Sequence, residues 1–190
     1  MWAAYRTLLE RRPLATKALT AGAIMGLGDA MQQLVIERTH TPAGGVWRYD
    51  ALRTARQGAF GVFFIGPVMH KWFAILDKVV PASKVGPLVK VGLDQAIIGP
   101  LVCFSFFSLM GLMEGQSPAQ IENKLKNHFW PTLVMNWKVW PAIQLANFYL
   151  VPLPLRVLWA NLGQFGWSMY LSHQAHKDVD HVPVPASRDE

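Results

Sequence analysis

Apolar stretches of membrane-crossing length alternate along this chain with short polar connections. The first covers Thr16 to Ile36 and is interrupted by Asp29 and its neighbouring glutamines. Within it Gly22, Gly26, Asp29 and Gln33 recur at steps of four, three and four, so small and polar residues share one stripe of a helix. Gly22 and Gly26 also match the GxxxG close-packing pattern. The stretch Thr39 to Tyr49 holds Pro42, Gly44 and Gly45 and reads as an exposed loop, after which Asp50 caps a new helix with Arg53 in its first turn. A second span then runs from Arg56 to Leu76. Its apolar centre, Ala59 to Met69, ends in the interfacial group His70, Lys71 and Trp72, and Gly66-Pro67 predicts a kink.

A basic connector from Lys78 to Lys90 leads into a third span, with Asp94 and Gln95 near its start. From Gln95 to Met113 no residue carries a formal charge, and as a helix this stretch extends about 28 Å, close to the hydrocarbon thickness of a bilayer. Ser117-Pro118-Ala119-Gln120 signals a helix start, with a capping serine, a proline in the first helical position and a glutamine completing a capping box. That helix, Ser117 to Asn127, is expected at the surface. Phe129 to Pro152 and Leu155 to Leu171 follow, parted by Pro152 and Pro154, and form two spans or one broken span. In the former, Trp137, Trp140, Gln144 and Asn147 share a helix face while Val139, Ile143 and Leu150 point elsewhere. In the latter, Asn161, Gln164 and Ser168 mark a polar face.

These elements predict an all-α fold, an integral membrane helical bundle with four or five transmembrane helices plus short interfacial helices. Residues 1–172 form a single membrane-embedded domain, and residues 173–190 a polar, mobile tail. At the start, Tyr5, Leu8 and Leu9 against Arg6 and Arg12 make a short amphipathic helix, which suits an interfacial helix, an uncleaved targeting element or the first turns of the bundle. Residues 1–13 lack the apolar region and cleavage site of a secretory signal. Lys and Arg occupy nearly every connection, so the charge pattern leaves the orientation open.

Composition strengthens the membrane assignment: 52% of residues are hydrophobic and 16% charged, against about 25% charged in soluble domains. The net charge of +6 raises the question of nucleic acid, but the basic residues are scattered between apolar segments and form no dense patch. They read as membrane flanks. The lone Cys103 excludes an intrachain disulfide and lies within the longest apolar run as a small packing residue. No nucleophile elbow, Walker loop, dinucleotide fingerprint or zinc-protease motif occurs, so neither an enzyme nor a cofactor is expected. His173, His176, Asp178, Asp180 and His181 have metal-binding side chains, but a mobile tail gives them no fixed geometry, and no metal is expected.

Asp29, Asp94, Lys138 and Arg156 are the ionisable residues nearest the apolar spans, where an unpaired charge costs at least ~2.5–3.5 kcal/mol on insertion scales. They should face protein or water. Together with Gln33, Gln144, Asn147 and Asn161 they are candidates to line a narrow hydrated path through the helices. The structural alternative is that Asp29 or Asp94 pairs with Lys138 or Arg53, while the amides join helices at about 0.6 kcal/mol each. Trp137 and Trp140 fit packing roles, Pro141 a hinge or a stable kink, and Arg156 a contact with lipid headgroups.

The motif Asn136-Trp137-Lys138-Val139-Trp140-Pro141, then Gln144, Asn147-Phe148, Val151-Pro152 and Arg156, then Trp167 and Tyr170-Leu171-Ser172, resembles the Mpv-seventeen/peroxisomal-membrane-protein-twenty-two family of small organelle-membrane proteins. Earlier matching positions are Tyr5, Pro13, Thr16, Gly28-Asp29, Gln32, Asp50, Arg53, Gly66-Pro67, His70, Trp72, Asp94-Gln95 and Pro100, with Phe73 standing where many relatives have tyrosine. The resemblance implies an integral protein of the mitochondrial inner membrane, or alternatively of the peroxisomal membrane, linked to pore-like conductance, metabolite balance and stress tolerance. The basic first helix and the absence of a terminal Ser-Lys-Leu favour mitochondria. The expected function is a channel or transporter for small solutes; the rival is a non-conducting scaffold that binds other membrane proteins and anionic lipids. Expected partners are therefore the bilayer and its anionic lipids, small solutes, a second copy of the chain or other membrane proteins, and no nucleic acid.

Overall fold

In the computed structural model, residues 2–40, 46–80, 83, 85–150 and 156–176 are described. Their helices are α1 (Trp2–Arg11), α2 (Pro13–Met31), α3 (Arg38–His40), α4 (Ala51–Phe60), α5 (Gly66–Val79), α6 (Gly86–Leu93), α7 (Gly99–Met113), α8 (Pro118–Leu150) and α9 (Arg156–His176), with no strand among the described residues. Three widened π-helical stretches, Gln32–Glu37, Gly61–Ile65 and Asp94–Ile98, join α2 to α3, α4 to α5 and α6 to α7 as continuous rods. Two of them precede a Gly-Pro pair. Pro67 and Pro100 offer no N–H to the carbonyls four residues back, and the wider turn instead carries the N–H of Gly66 to the Gly61 oxygen and that of Gly99 to the Asp94 oxygen.

Local signals place several helix starts. Asp50 caps α4, its carboxylate accepting the Arg53 N–H at 2.9 Å. The capping box before α8 closes, the Ser117 N–H donating to Gln120 Oε1 at 2.7 Å and the Gln120 N–H to Ser117 Oγ at 3.4 Å. Other boundaries differ from expectation. The segment Ser117 to Asn127 is no separate surface helix: α8 runs without a break from Pro118 through Pro131 and Pro141 to Leu150, because nothing between Asn123 and Phe129 ends a helix. The third rod begins at Gly86, inside the expected connector, so Asp94 lies in its interior. Helix α9 continues past Leu171 to His176, so His173, expected at the start of the tail, is helical.

Among the described residues two segments, Ala51–Leu76 and Gly86–Met113, are long and apolar enough to cross a membrane, extending about 39 and 42 Å at 1.5 Å per residue. Their apolar surface faces outward: 22% and 39% of the most apolar stretch of each is buried in the protein. Phe63 is 81% exposed, and Leu19, Leu27, Leu112 and Trp130 are also turned outward. Conversely Asp29, Gln57 and Thr132 are completely buried, with Gln32 and Gln33 nearly so. A water-soluble domain distributes these residue types the other way round, and lipid is the surrounding that makes this arrangement favourable.

Helix α2 is the central post, packed on α4, α5 and α9. Contact is close because its stripe is small. A Cβ at Gly61 would lie 2.6 Å from Gly22 Cα and 2.7 Å from the Ala21 carbonyl oxygen. Gly66 meets the Ala18 backbone in the same way, and Gly28 lets Ser168 of α9 approach. The GxxxG stripe thus does what its spacing predicts. Around it Met25, Phe60, Phe106, Phe107, Met110, Trp167 and Leu171 form the hydrophobic core, with Phe60 and Phe106 edge to face at 5.4 Å and 82°.

Candidate functional site

The sequence-predicted polar residues fall into two groups, where a single path was expected. The first group is built on Asp29, which is completely buried on α2. Its Oδ1 accepts Arg53 Nε at 2.8 Å and the Ser172 hydroxyl; its Oδ2 accepts Thr54 Oγ1 at 2.6 Å and Gln33 Nε2 at 2.8 Å. Arg53 also holds Glu37 in a two-pronged pair at 3.0 and 2.7 Å and donates to Ser172 Oγ at 2.7 Å. Gln33 spans to the helix beyond, accepting the Asp50 N–H at 2.7 Å and donating to the Asp50 carbonyl at 3.0 Å. Every oxygen of Asp29 is satisfied, so this group clamps α2, α4 and α9 together as the structural alternative anticipated for an Asp29–Arg53 pair.

The second group lines a cavity of about 230 Å³ between the rods. Asp94 sits in its wall on the widened turn that follows α6, where Oδ1 accepts Trp72 Nε1 at 3.0 Å and Oδ2 accepts Gln95 Nε2 at 3.2 Å and Gln144 Nε2 at 3.3 Å. No Lys, Arg or His lines the cavity, and no salt bridge is formed by Asp94 among the described residues. Asn136 and Gln95, also in the wall, each hold a buried amide oxygen without a donor. Trp140, Trp167 and Phe73 supply aromatic rings to the wall, with Trp140 and Trp167 in an edge-to-face pair at 6.3 Å.

Met25, Trp167 and Leu171 belong both to the cavity wall and to the hydrophobic core. Asp29 lies one helical turn beyond Met25, and Ser172 immediately follows Leu171. The apolar core therefore stands between the two polar groups.

Of the remaining candidates, Lys138 is exposed and absent from the cavity wall. Asn147, Phe148, Arg156 and Asn161 lie on α8 and α9 with side chains outside the described residues, as does Pro152 altogether. Trp137 is part-exposed and donates to the Gln95 carbonyl at 2.9 Å. Pro141 sits within the unbroken α8. His173 reaches Gln32, ring nitrogen to amide at 3.3 Å, while Asp178, Asp180 and His181 lie outside the described residues. Gln95, Asn136, Gln164 and Trp72 were missed as site residues. Their signal was present for Asn136, which precedes Trp140 and Gln144 by four and eight and so shares their face.

Known proteins similar to the chain cover almost all of it. The mitochondrial inner membrane protein Mpv17 of Bos taurus is 38% identical over 178 residues, which is 93% of this chain and 98% of the relative. The Homo sapiens protein of the same name is 37% identical over the same extent, and the protein SYM1 of Saccharomyces cerevisiae is 36% identical over 188 residues, 95% of this chain and 93% of its own. No solved structure matches. The family model described as the Mpv17 / PMP22 family matches residues 111–172, the part that carries Asn136, Trp140, Gln144 and Trp167. The chain is a mitochondrial inner-membrane protein, as its near full-length Mpv17 relatives are, and its apolar helices fit that setting. With its membrane-type packing, its polar interior and relatives above 30% identity along nearly its whole length, it belongs to the Mpv17 / PMP22 family.

Proposed function

We propose that this protein is a channel or transporter for small solutes across the mitochondrial inner membrane, that the Asp94 cavity is its solute site, and that the wall of Met25, Trp167 and Leu171 is its closure. The observation that carries this reading is the contrast between two buried carboxylates. Asp29 has a guanidinium and three further donors; among the described residues Asp94 has neutral donors alone, and it faces a cavity. A charge that serves only the fold is best paired, since leaving it unpaired within a span costs at least ~2.5–3.5 kcal/mol. A charge that meets a passing solute must be left available.

Flux through the protein in liposomes or planar bilayers tests this. Folded wild-type protein should conduct, Asp94→Asn should change the preference for cations over anions by about fivefold or more, and Met25→Ala should raise the flux by widening the closure. Folded protein that is silent, or currents indifferent to both substitutions, would refute the reading. A scaffold role has its own supporting observation: a Cβ at Gly92 or Gly166 would meet nothing within 4 Å, so both leave room on exposed helix faces for another membrane helix. Stable co-purifying membrane proteins together with silent bilayers would favour it.

A further inference from the structure

From the lining of the Asp94 cavity we infer the chemical class of its occupant: a small solute carrying a protonated amine. The inference rests on the reading of this cavity as a solute site and assigns the charge and size of what enters. Both carboxylate oxygens of Asp94 accept N–H donors, from the Trp72 indole and from the Gln95 and Gln144 amides. That is the bonding pattern of an ionised carboxylate. All these donors are neutral, and among the described residues the wall contains no basic side chain, so within that wall the carboxylate of Asp94 meets no cation in a region of low dielectric. An entering cation would neutralise it; an entering anion would be repelled.

The other polar atoms of the wall agree. Behind the wall surface, Gln95 and Asn136 hold buried amide oxygens without a donor, acceptors that a turn of either side chain would bring to a solute. An ammonium group brings three donors and no acceptor, which matches the carboxylate in the wall and the amide oxygens behind it. The indoles of Trp140 and Trp167 line the wall, and an aromatic ring attracts a cation placed over its face, an effect strengthened where water is excluded. Size limits the rest of the solute. An apolar cavity of about 150 Å³ admits a benzene ring, so about 230 Å³ takes a ring or short chain with an aminomethyl group and excludes anything much larger.

Three probes of nearly equal shape separate charge from size: benzylammonium, benzyl alcohol and benzoate, each titrated by calorimetry into the full-length protein in lipid nanodiscs, with empty nanodiscs as blank. The expected order is benzylammonium first, at least about tenfold tighter than benzyl alcohol, and benzoate last. In folded Asp94→Asn protein the first two should become equal. Equal affinity for all three, tighter binding of benzoate, no binding of any, or a charge preference that survives Asp94→Asn would each overturn the inference. The order among probes is read on the native protein, so it decides even if the variant fails to fold. Failure here is distinct from failure of the transport reading: the expected order without flux removes the channel and keeps the amine site, and flux without the order does the reverse.

Discussion

Arg53→Ala should destabilise the protein more than any other single truncation discussed, by about 3–5 kcal/mol, because it leaves the carboxylate of Asp29 buried and unpaired and releases Glu37. Thermal unfolding in detergent should show it as a fall in Tm of about 10 °C or more. The same experiment distinguishes a clamp from a bystander. Asp29→Asn keeps the shape and removes the charge that needs Arg53, so combined with Arg53→Ala it should give a loss clearly smaller than the sum of the two single losses. A single-variant loss below about 1 kcal/mol would mean that the contacts joining α2, α4 and α9 are incidental.

Gly61→Ala is the second large effect. A methyl group there would sit 2.6 Å from Gly22 Cα and 2.7 Å from the Ala21 oxygen. Backbone atoms cannot rotate out of the way, so the two rods must separate and the core beneath Met25 and Phe60 must loosen, for about 1–3 kcal/mol or more. Gly92→Ala supplies the control. Nothing lies within 4 Å of its added Cβ, and replacing a helical glycine there should be neutral or stabilise by up to about 1 kcal/mol. Equal Tm shifts for the two variants would show that the close approach of α2 and α4 does not set stability.

How much of this could be read along the chain depended on distance. The Asp50 cap, the Ser117 capping box and the Gly22 stripe rest on neighbours within a turn or two, and all three took the roles their spacing indicates. Which carboxylate meets which partner did not follow from spacing. Asp29 is bonded to Arg53 from 24 residues away and to Ser172 from 143, and both distances are set by tertiary packing. Asp29 and Asp94 therefore looked equivalent as buried acids, though one is clamped and the other faces a cavity. Lys138 was legible in hindsight: it lies six positions before Gln144, about 120° away around the helix, and so cannot share the face that Asn136, Trp140 and Gln144 turn to the cavity. The polar motif of α8 combined two faces into one expected path.

The separation of the two polar groups also bears on mechanism. If the cavity is the solute site proposed above, a solute in it would meet the apolar side chains of Met25, Trp167 and Leu171 before it could reach Asp29. Passage then needs those side chains to move, and the widened turns at Gly61–Ile65 and Asp94–Ile98 are suitable places, since each already departs from regular helical bonding beside the cavity or the core. The Asp29 clamp would remain the fixed part against which such movement occurs.

An apolar exterior in lipid enclosing a polar interior underlies both the Asp29 clamp and the Asp94 cavity. The most direct measurement places nitroxide labels on single cysteines introduced at Leu19, Phe63 and Leu112, with the buried Cys103 replaced, in protein reconstituted into bilayers. The account predicts relaxation of all three labels by dissolved oxygen and little by a water-soluble nickel chelate, the signature of acyl-chain surroundings. Strong relaxation by the chelate at these positions would place that surface in water and contradict it.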